Sequence, residues 1–170
     1  MKTVIAKQYS GNRLSITHHS QLLITKLLAF LCLLLSANLV THAAEPEDVI
    51  KYRQSIMMSQ RAHMAAATAI IEGKVDFNDQ LVDHVRALEA TTKIIAGLFP
   101  EGSDLGDTKA LASVWKNNAE FVKRAKHTQE KSQTLAKAVS SGDSAQYGTL
   151  LKDLLDACKA CHKDFRAKEK

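Results

Sequence analysis

Leu150-Leu-Lys-Asp-Leu-Leu-Asp-Ala-Cys-Lys-Ala-Cys-His-Lys-Asp-Phe165 decides how this chain is read. Its apolar residues recur at spacings of three and four, the period of a helix with one buried side. Leu150, Leu151, Leu154, Leu155, Cys158, Cys161, His162 and Phe165 share that side. A helix of this kind needs other helices to cover it. The same spacing recurs upstream, glycine and proline are sparse, and no stretch alternates β-branched residues. The chain is therefore expected to be all-α.

Within that stretch, Cys158-Lys-Ala-Cys-His162 is the C-x-x-C-H signature of covalent haem c attachment. Two thiols add across the two vinyl groups of the porphyrin. The adjacent imidazole supplies a nitrogen to iron. Positions i, i+3 and i+4 put all three on one helical face. A redox dithiol of the thioredoxin kind belongs at a helix start after a strand, not near a helix end. A zinc site needs a second ligand pair, which the exported chain lacks. A plain disulfide leaves His162 a coincidence. The reading is one haem c per chain, with Cys158 and Cys161 binding the cofactor and His162 the iron.

Working back to the start, residues 1–44 carry Lys2, Lys7, Arg13 and Lys26 and no acidic residue. A 14-residue apolar run, Leu27 to Val40, follows, and then Thr41-His-Ala-Ala44. A basic start, a short apolar core and small residues at the end describe a secretory signal. The run is short of the roughly 20 residues that a membrane span requires. Cleavage is expected after Ala43, leaving residues 44–170 as one domain of a periplasmic protein with no membrane segment. The whole chain has 23 Lys and Arg, 18 Asp and Glu and a net charge of +5. The signal takes four of the basic residues and no acid, so the remainder carries about +1, no argument for a nucleic-acid partner. Cys32 leaves with the signal, and the haem motif then accounts for both remaining cysteines.

Four helices are expected. The first starts at Pro46, a residue suited to the opening turn, and stops at Gly73. Its stripe is Val49, Ile56, Met57, Met64, Ala67, Ile70 and Ile71, with Arg53 as the exception. The second runs from about 78 to 97, with Leu81, Val85, Leu88, Ile94 and Ile95 inward. The third covers roughly 110–140, anchored by Trp115, Phe121, Val122, Leu135 and Val139. The fourth runs from 144 to about 168. Similar lengths, mostly short connections and narrow stripes predict an antiparallel four-helix bundle.

Three segments resemble the cytochrome c′ family. They are Pro46-Glu-Asp-Val-Ile-Lys-Tyr-Arg-Gln-Ser55, the Val114-Trp115 start of the third helix, and Cys158-Lys-Ala-Cys-His-Lys-Asp-Phe-Arg166. The resemblance implies a four-helix bundle with haem near one end, between the first and last helices. It places Arg53 and Gln54 beside the haem carboxylates, which suits a guanidinium, and Arg166 against the imidazole. It also implies two iron states. High-spin members have five ligands and bind small gases; the low-spin cytochrome c-556 type adds a first-helix Met as the sixth. Met57 falls on that position and is expected either to ligate iron or to pack over it. Leu98-Phe-Pro100 and His63-Met64 look like the low-spin group, and Glu101 stands where high-spin members usually carry Trp.

The expected function is therefore electron carriage, with His162 and Met57 on iron and an unidentified redox partner protein. The alternative is a five-coordinate protein that binds nitric oxide or carbon monoxide. Nothing in the sequence supplies an acid and base pair beside open iron, so no enzyme is expected. Family members often pair as homodimers through helices one and two. Met58 lies about 100° around the helix from Met57 and Met64 belongs to the core. His63, His84 and His127 have no partner spacing and are expected at the surface.

Overall fold

Pro46 occupies the first turn of α1, Pro46–Ile71, with Glu47 and Asp48 where carboxylates favour the helix dipole. In this computed structural model, residues 44–168 are described; the segment read as a signal, 1–43, lies outside them. α1 ends where Gly73 adopts φ +69°, and the Lys74 amide returns to the Ala69 carbonyl at 2.8 Å.

The second predicted helix is divided. A short 3₁₀ turn, Asn78–Gln80, leads into α2, Leu81–Lys93, and a further 3₁₀ turn covers Ile95–Leu98. The break has a local cause. The Thr91 hydroxyl donates to the Ala87 carbonyl at 2.7 Å and that of Thr92 to the Glu89 carbonyl at 3.1 Å. Such back-bonding by β-branched residues weakens the last turn. Ile95 is buried, but Ile94 is turned outward.

The third predicted helix also starts later. α3 is a single turn, Ser113–Lys116; Asn117 (φ −121°, ψ 46°) interrupts it, and α4 runs over Asn118–Ser141. α4 ends on Gly142 at φ +75°, whose amide reaches the Ala138 and Val139 carbonyls. The polar middle of α4 is not wholly solvated, because Ala125 and Thr128 are buried. Val122, expected as an anchor, is 41% exposed, and Phe121 takes the interior. After a 3₁₀ turn at Ser144–Gln146, α5 covers Tyr147–Phe165. Arg166 is extended rather than helical (φ −129°, ψ 134°), because the chain end pairs antiparallel with Ala110. The Leu111 amide donates to the Phe165 carbonyl at 3.0 Å, and the Ala167 amide to the Lys109 carbonyl at 2.8 Å.

α1, α2, α4 and α5 form the four-helix bundle. α1 packs on α2, α2 on α4 and α4 on α5 along their lengths, whereas α5 and α1 meet at only a few positions. The ring of helices is open along that one seam. The interior is in two parts. One end holds Ala67 and Ile70 of α1, Leu81, Val85 and Leu88 of α2, Leu135 of α4, and Leu151 and Leu154 of α5. The other end holds Ile95, Val114, Phe121, Ala125 and Phe165. Among the described residues no helix is long and apolar enough to cross a membrane.

Candidate functional site

Cys158, Cys161 and His162 lie on the last two turns of α5. Both cysteines are half-buried and neither is in a disulfide. They straddle the division in the interior: Cys158 packs against the leucine-rich end, Cys161 against the aromatic end. Burial pushes the Cys158 thiol up to about 11, with its neighbour Cys161 adding to the effect. Burial also raises Cys161, against the opposing pull of the Arg124 guanidinium. His162 is at the surface. Partial desolvation, and then the charge of Arg166, hold its imidazole below the ordinary histidine range. A neutral imidazole is the form that binds a metal ion. Although Arg166 has left the helix, its amide still donates to the His162 carbonyl at 3.0 Å, so it stays beside that residue.

Across the open seam, α1 contributes Met57, half-buried on the same aromatic group that receives Cys161. Thus the structure brings the expected thioether and Cys161 of the attachment motif onto one aromatic group. The wall there is built of rings set edge to face. Phe99 and Phe121 have centroids 4.8 Å apart, Phe121 and Phe165 5.3 Å, and Phe99 and Trp115 6.1 Å. One turn beyond Met57, the Gln60 amide nitrogen is buried with no partner, as is the Ser132 hydroxyl of α4. A cleft of about 410 Å³ is lined by Arg61 of α1 and by His162, Lys163, Arg166, Ala167 and Lys168 at the other side of the seam.

These features fit a haem. Two unbonded thiols one turn apart, an adjacent neutral imidazole and an aromatic wall suit an apolar macrocycle. A parted helix pair gives it room, and the cationic cleft suits its carboxylates.

Arg53 has a fuller set of partners than its sequence context indicates. It is 3% exposed, although it stood out as the exception in an apolar stripe. Nη1 donates to the Leu98 carbonyl (3.3 Å) and the Ser103 hydroxyl (3.0 Å). Nη2 donates to the Ser103 carbonyl (3.0 Å) and the Thr108 hydroxyl (2.9 Å). These four acceptors are all neutral, and the guanidinium also lies over Phe99. Gln54 is exposed and donates from Nε2 to the Asp107 carbonyl at 2.8 Å. Both residues therefore hold the 98–108 loop, a role no local spacing reveals because Ser103 and Thr108 are some fifty positions away. Ser103 and Thr108 are not marked by any motif in the sequence, and Phe99 stands out there only as part of Leu98-Phe-Pro100. The signal that could have found Ser103 is its place between Gly102 and Gly106, both at positive φ.

The structure also joins two residues that sequence reading left apart. His63 of α1 and His84 of α2 place their Nδ1 atoms 3.0 Å from each other.

A protein-family model described as Cytochrome C′ matches residues 48–166. Cytochrome c′ of Pararhodospirillum photometricum is 35% identical over 124 residues, covering 72% of this chain and 99% of that protein. Cytochrome c-556 of Agrobacterium fabrum is 31% identical over 148 residues, covering 86% of this chain and 95% of that protein. Among solved structures, a nitric oxide complex of a mutant cytochrome c prime from Alcaligenes xylosoxidans is similar with a TM-score of 0.69. It is 27% identical, and the match covers 75% of this chain and all of that one.

Proposed function

Since this chain belongs to the cytochrome c′ family, whose members carry covalently bound haem c, we propose that it is a periplasmic haem protein with His162 on iron and a gas-binding far side closed by Met57. The observation that carries this is the shared packing of Met57 and Cys161 on one aromatic group, at the end of the open α1–α5 seam. Cys158 and Cys161 form the two thioether links. His162 presents its neutral imidazole from the same helical face. When bound, haem c supplies a one-electron couple and an iron position for a small ligand. Met57, Phe99 and Phe121 keep that side apolar, which favours an uncharged diatomic gas over water or anions. The nitric oxide complex among the similar structures supports this reading. Arg61, Lys163 and Arg166 offer cations to the haem carboxylates, and Arg53, whose hydrogen-bond acceptors are all neutral, accommodates a further negative charge nearby. The segment 1–43 directs export, and a partner protein exchanges electrons with the iron.

A second reading makes Met57 the sixth ligand and the protein a low-spin electron carrier. The similarity to cytochrome c-556 favours it. A thioether held on the iron together with the imidazole would raise the reduction potential and remove the gas site.

One pair of spectra separates the two. Under the first reading, the purified protein has broad high-spin bands when reduced, and carbon monoxide shifts them. Sharp α and β bands that ignore carbon monoxide, converted to the broad type by Met57→Ala, establish the second reading instead. N-terminal sequencing of the exported protein checks the signal: it should begin at Ala44.

A further inference from the structure

Away from the haem seam, α1 and α2 share a polar contact that the haem function does not use. Nδ1 of His63 and Nδ1 of His84 are 3.0 Å apart, and their ring centroids are 5.3 Å apart with the planes inclined by 51°. Both rings are half-exposed. His63 lies six residues beyond Met57, about 9 Å along the helix axis and on a different side of it. The two imidazoles thus come from different helices, on a face separate from Cys158, Cys161 and His162.

As a hydrogen bond, this contact holds a single proton: one Nδ1 must carry it and the other must be bare. A cation can take the proton's place, with both rings as their Nε2–H tautomers. The spacing says which cation. Two nitrogens each about 2.0–2.1 Å from a metal and 3.0 Å from each other subtend roughly 95° at it. That is a neighbouring-ligand angle of tetragonal coordination, the geometry of copper(II) and nickel(II), and it is narrower than the tetrahedral angle of zinc. Copper(II) also stands highest in affinity for nitrogen donors of this kind. Among the described residues no group of three or more His, Cys, Asp and Glu side chains could complete a cage, so water fills the remaining positions. Half-exposure leaves room for that water, and the two helices hold the donors close before the ion arrives.

We propose that His63 and His84 form a two-imidazole site for a divalent late first-row metal ion, copper(II) foremost, bridging α1 and α2 and separate from the haem.

The test uses the haem-loaded, tag-free protein in its oxidised state and copper(II) sulfate as the probe. Calorimetry should give one copper per chain, and the copper electron paramagnetic resonance signal should show coupling to two nitrogens. Each of His63→Ala and His84→Ala should weaken binding by about tenfold or more, because chelation is lost. His127→Ala should leave it unchanged. The haem spectrum reports whether each variant is folded. If an alanine variant does not fold, the wild-type protein still decides: copper should protect His63 and His84 together from diethylpyrocarbonate, read by mass spectrometry. Undiminished copper binding in the double variant, or unaltered modification of both histidines in the presence of copper, overturns the proposal. So does one copper per two chains in a sedimenting dimer.

Discussion

The guanidinium carbon of Arg53 stands 4.5 Å from the centroid of the Phe99 ring, with the Trp115 ring 5.9 Å away. Charge, ring faces and four neutral oxygens together compensate for burial of this cation. Burial still lowers the Arg53 pKa, but an arginine has ample range to remain charged. Arg53→Ala removes the cation and leaves buried acceptors unpaired, so it should lower the unfolding free energy by about 2–4 kcal/mol. Arg53→Lys should recover only part of this, because one ammonium cannot reproduce the planar fork. Urea unfolding of the haem protein measures both. A lysine variant as stable as wild type would show that the four bonds are dispensable.

Phe121 is 2% exposed and touches Phe99 and Phe165 edge to face. Phe121→Ala should cost about 3–5 kcal/mol and Phe121→Leu considerably less, since it keeps most of the volume. The alanine variant also opens the wall beside Met57. Its carbon monoxide association rate should therefore rise, as flash photolysis would record.

Gly106 holds φ +117°, and an added Cβ would lie 3.4 Å from the Ile50 side chain. Gly106→Ala should destabilise the fold by about 1–3 kcal/mol through backbone strain. Gly97, where an added Cβ meets nothing within 4 Å and φ is ordinary, provides the control. Gly97→Ala should be close to neutral in the same thermal melts.

Cys158 gives a pH prediction for the folded chain before haem is attached. Its thiol is raised from 9.0 to about 11. A raised pKa favours the protonated fold, so this stabilisation is complete below pH 9 and is lost as pH climbs from 9 towards 11. The same shift suppresses the reactive thiolate. In a Cys161→Ser background, which removes the smaller contribution of Cys161 and leaves that of burial, iodoacetamide at pH 8 should label Cys158 more than about tenfold more slowly in the folded chain than in urea. Equal rates would mean that the thiol is not sheltered before attachment.

Much of this architecture is legible in the chain. The leucine spacing of α5, the stop at Gly73 and the break at Gly142 each arise from neighbours within a turn or two, and they stand where the sequence places them. Cys158, Cys161 and His162 are readable for the same reason. Where side chains compete with the backbone, reading falls short, as at Thr91 and Thr92, which end α2 early. It also falls short where remote segments meet. Ala110 looks helical by composition but pairs with Arg166, and Arg53 looks misplaced until the 98–108 loop is folded over it. His63 and His84 are 21 positions apart, and only the packing of α1 on α2 makes them neighbours.

The gap between α1 and α5 has a consequence for how the protein is assembled and how it answers chemistry at the metal. Three sides of the enclosure are protein against protein; under the proposed function the fourth would be completed by the prosthetic group, which would join the first helix of the bundle to the last. Maturation is then also closure, and a chain deprived of haem should breathe most along that side. With haem held there, a change at the iron would act first on the first and last helices of the bundle, so probes near residues 46 and 165 are the ones placed to report it.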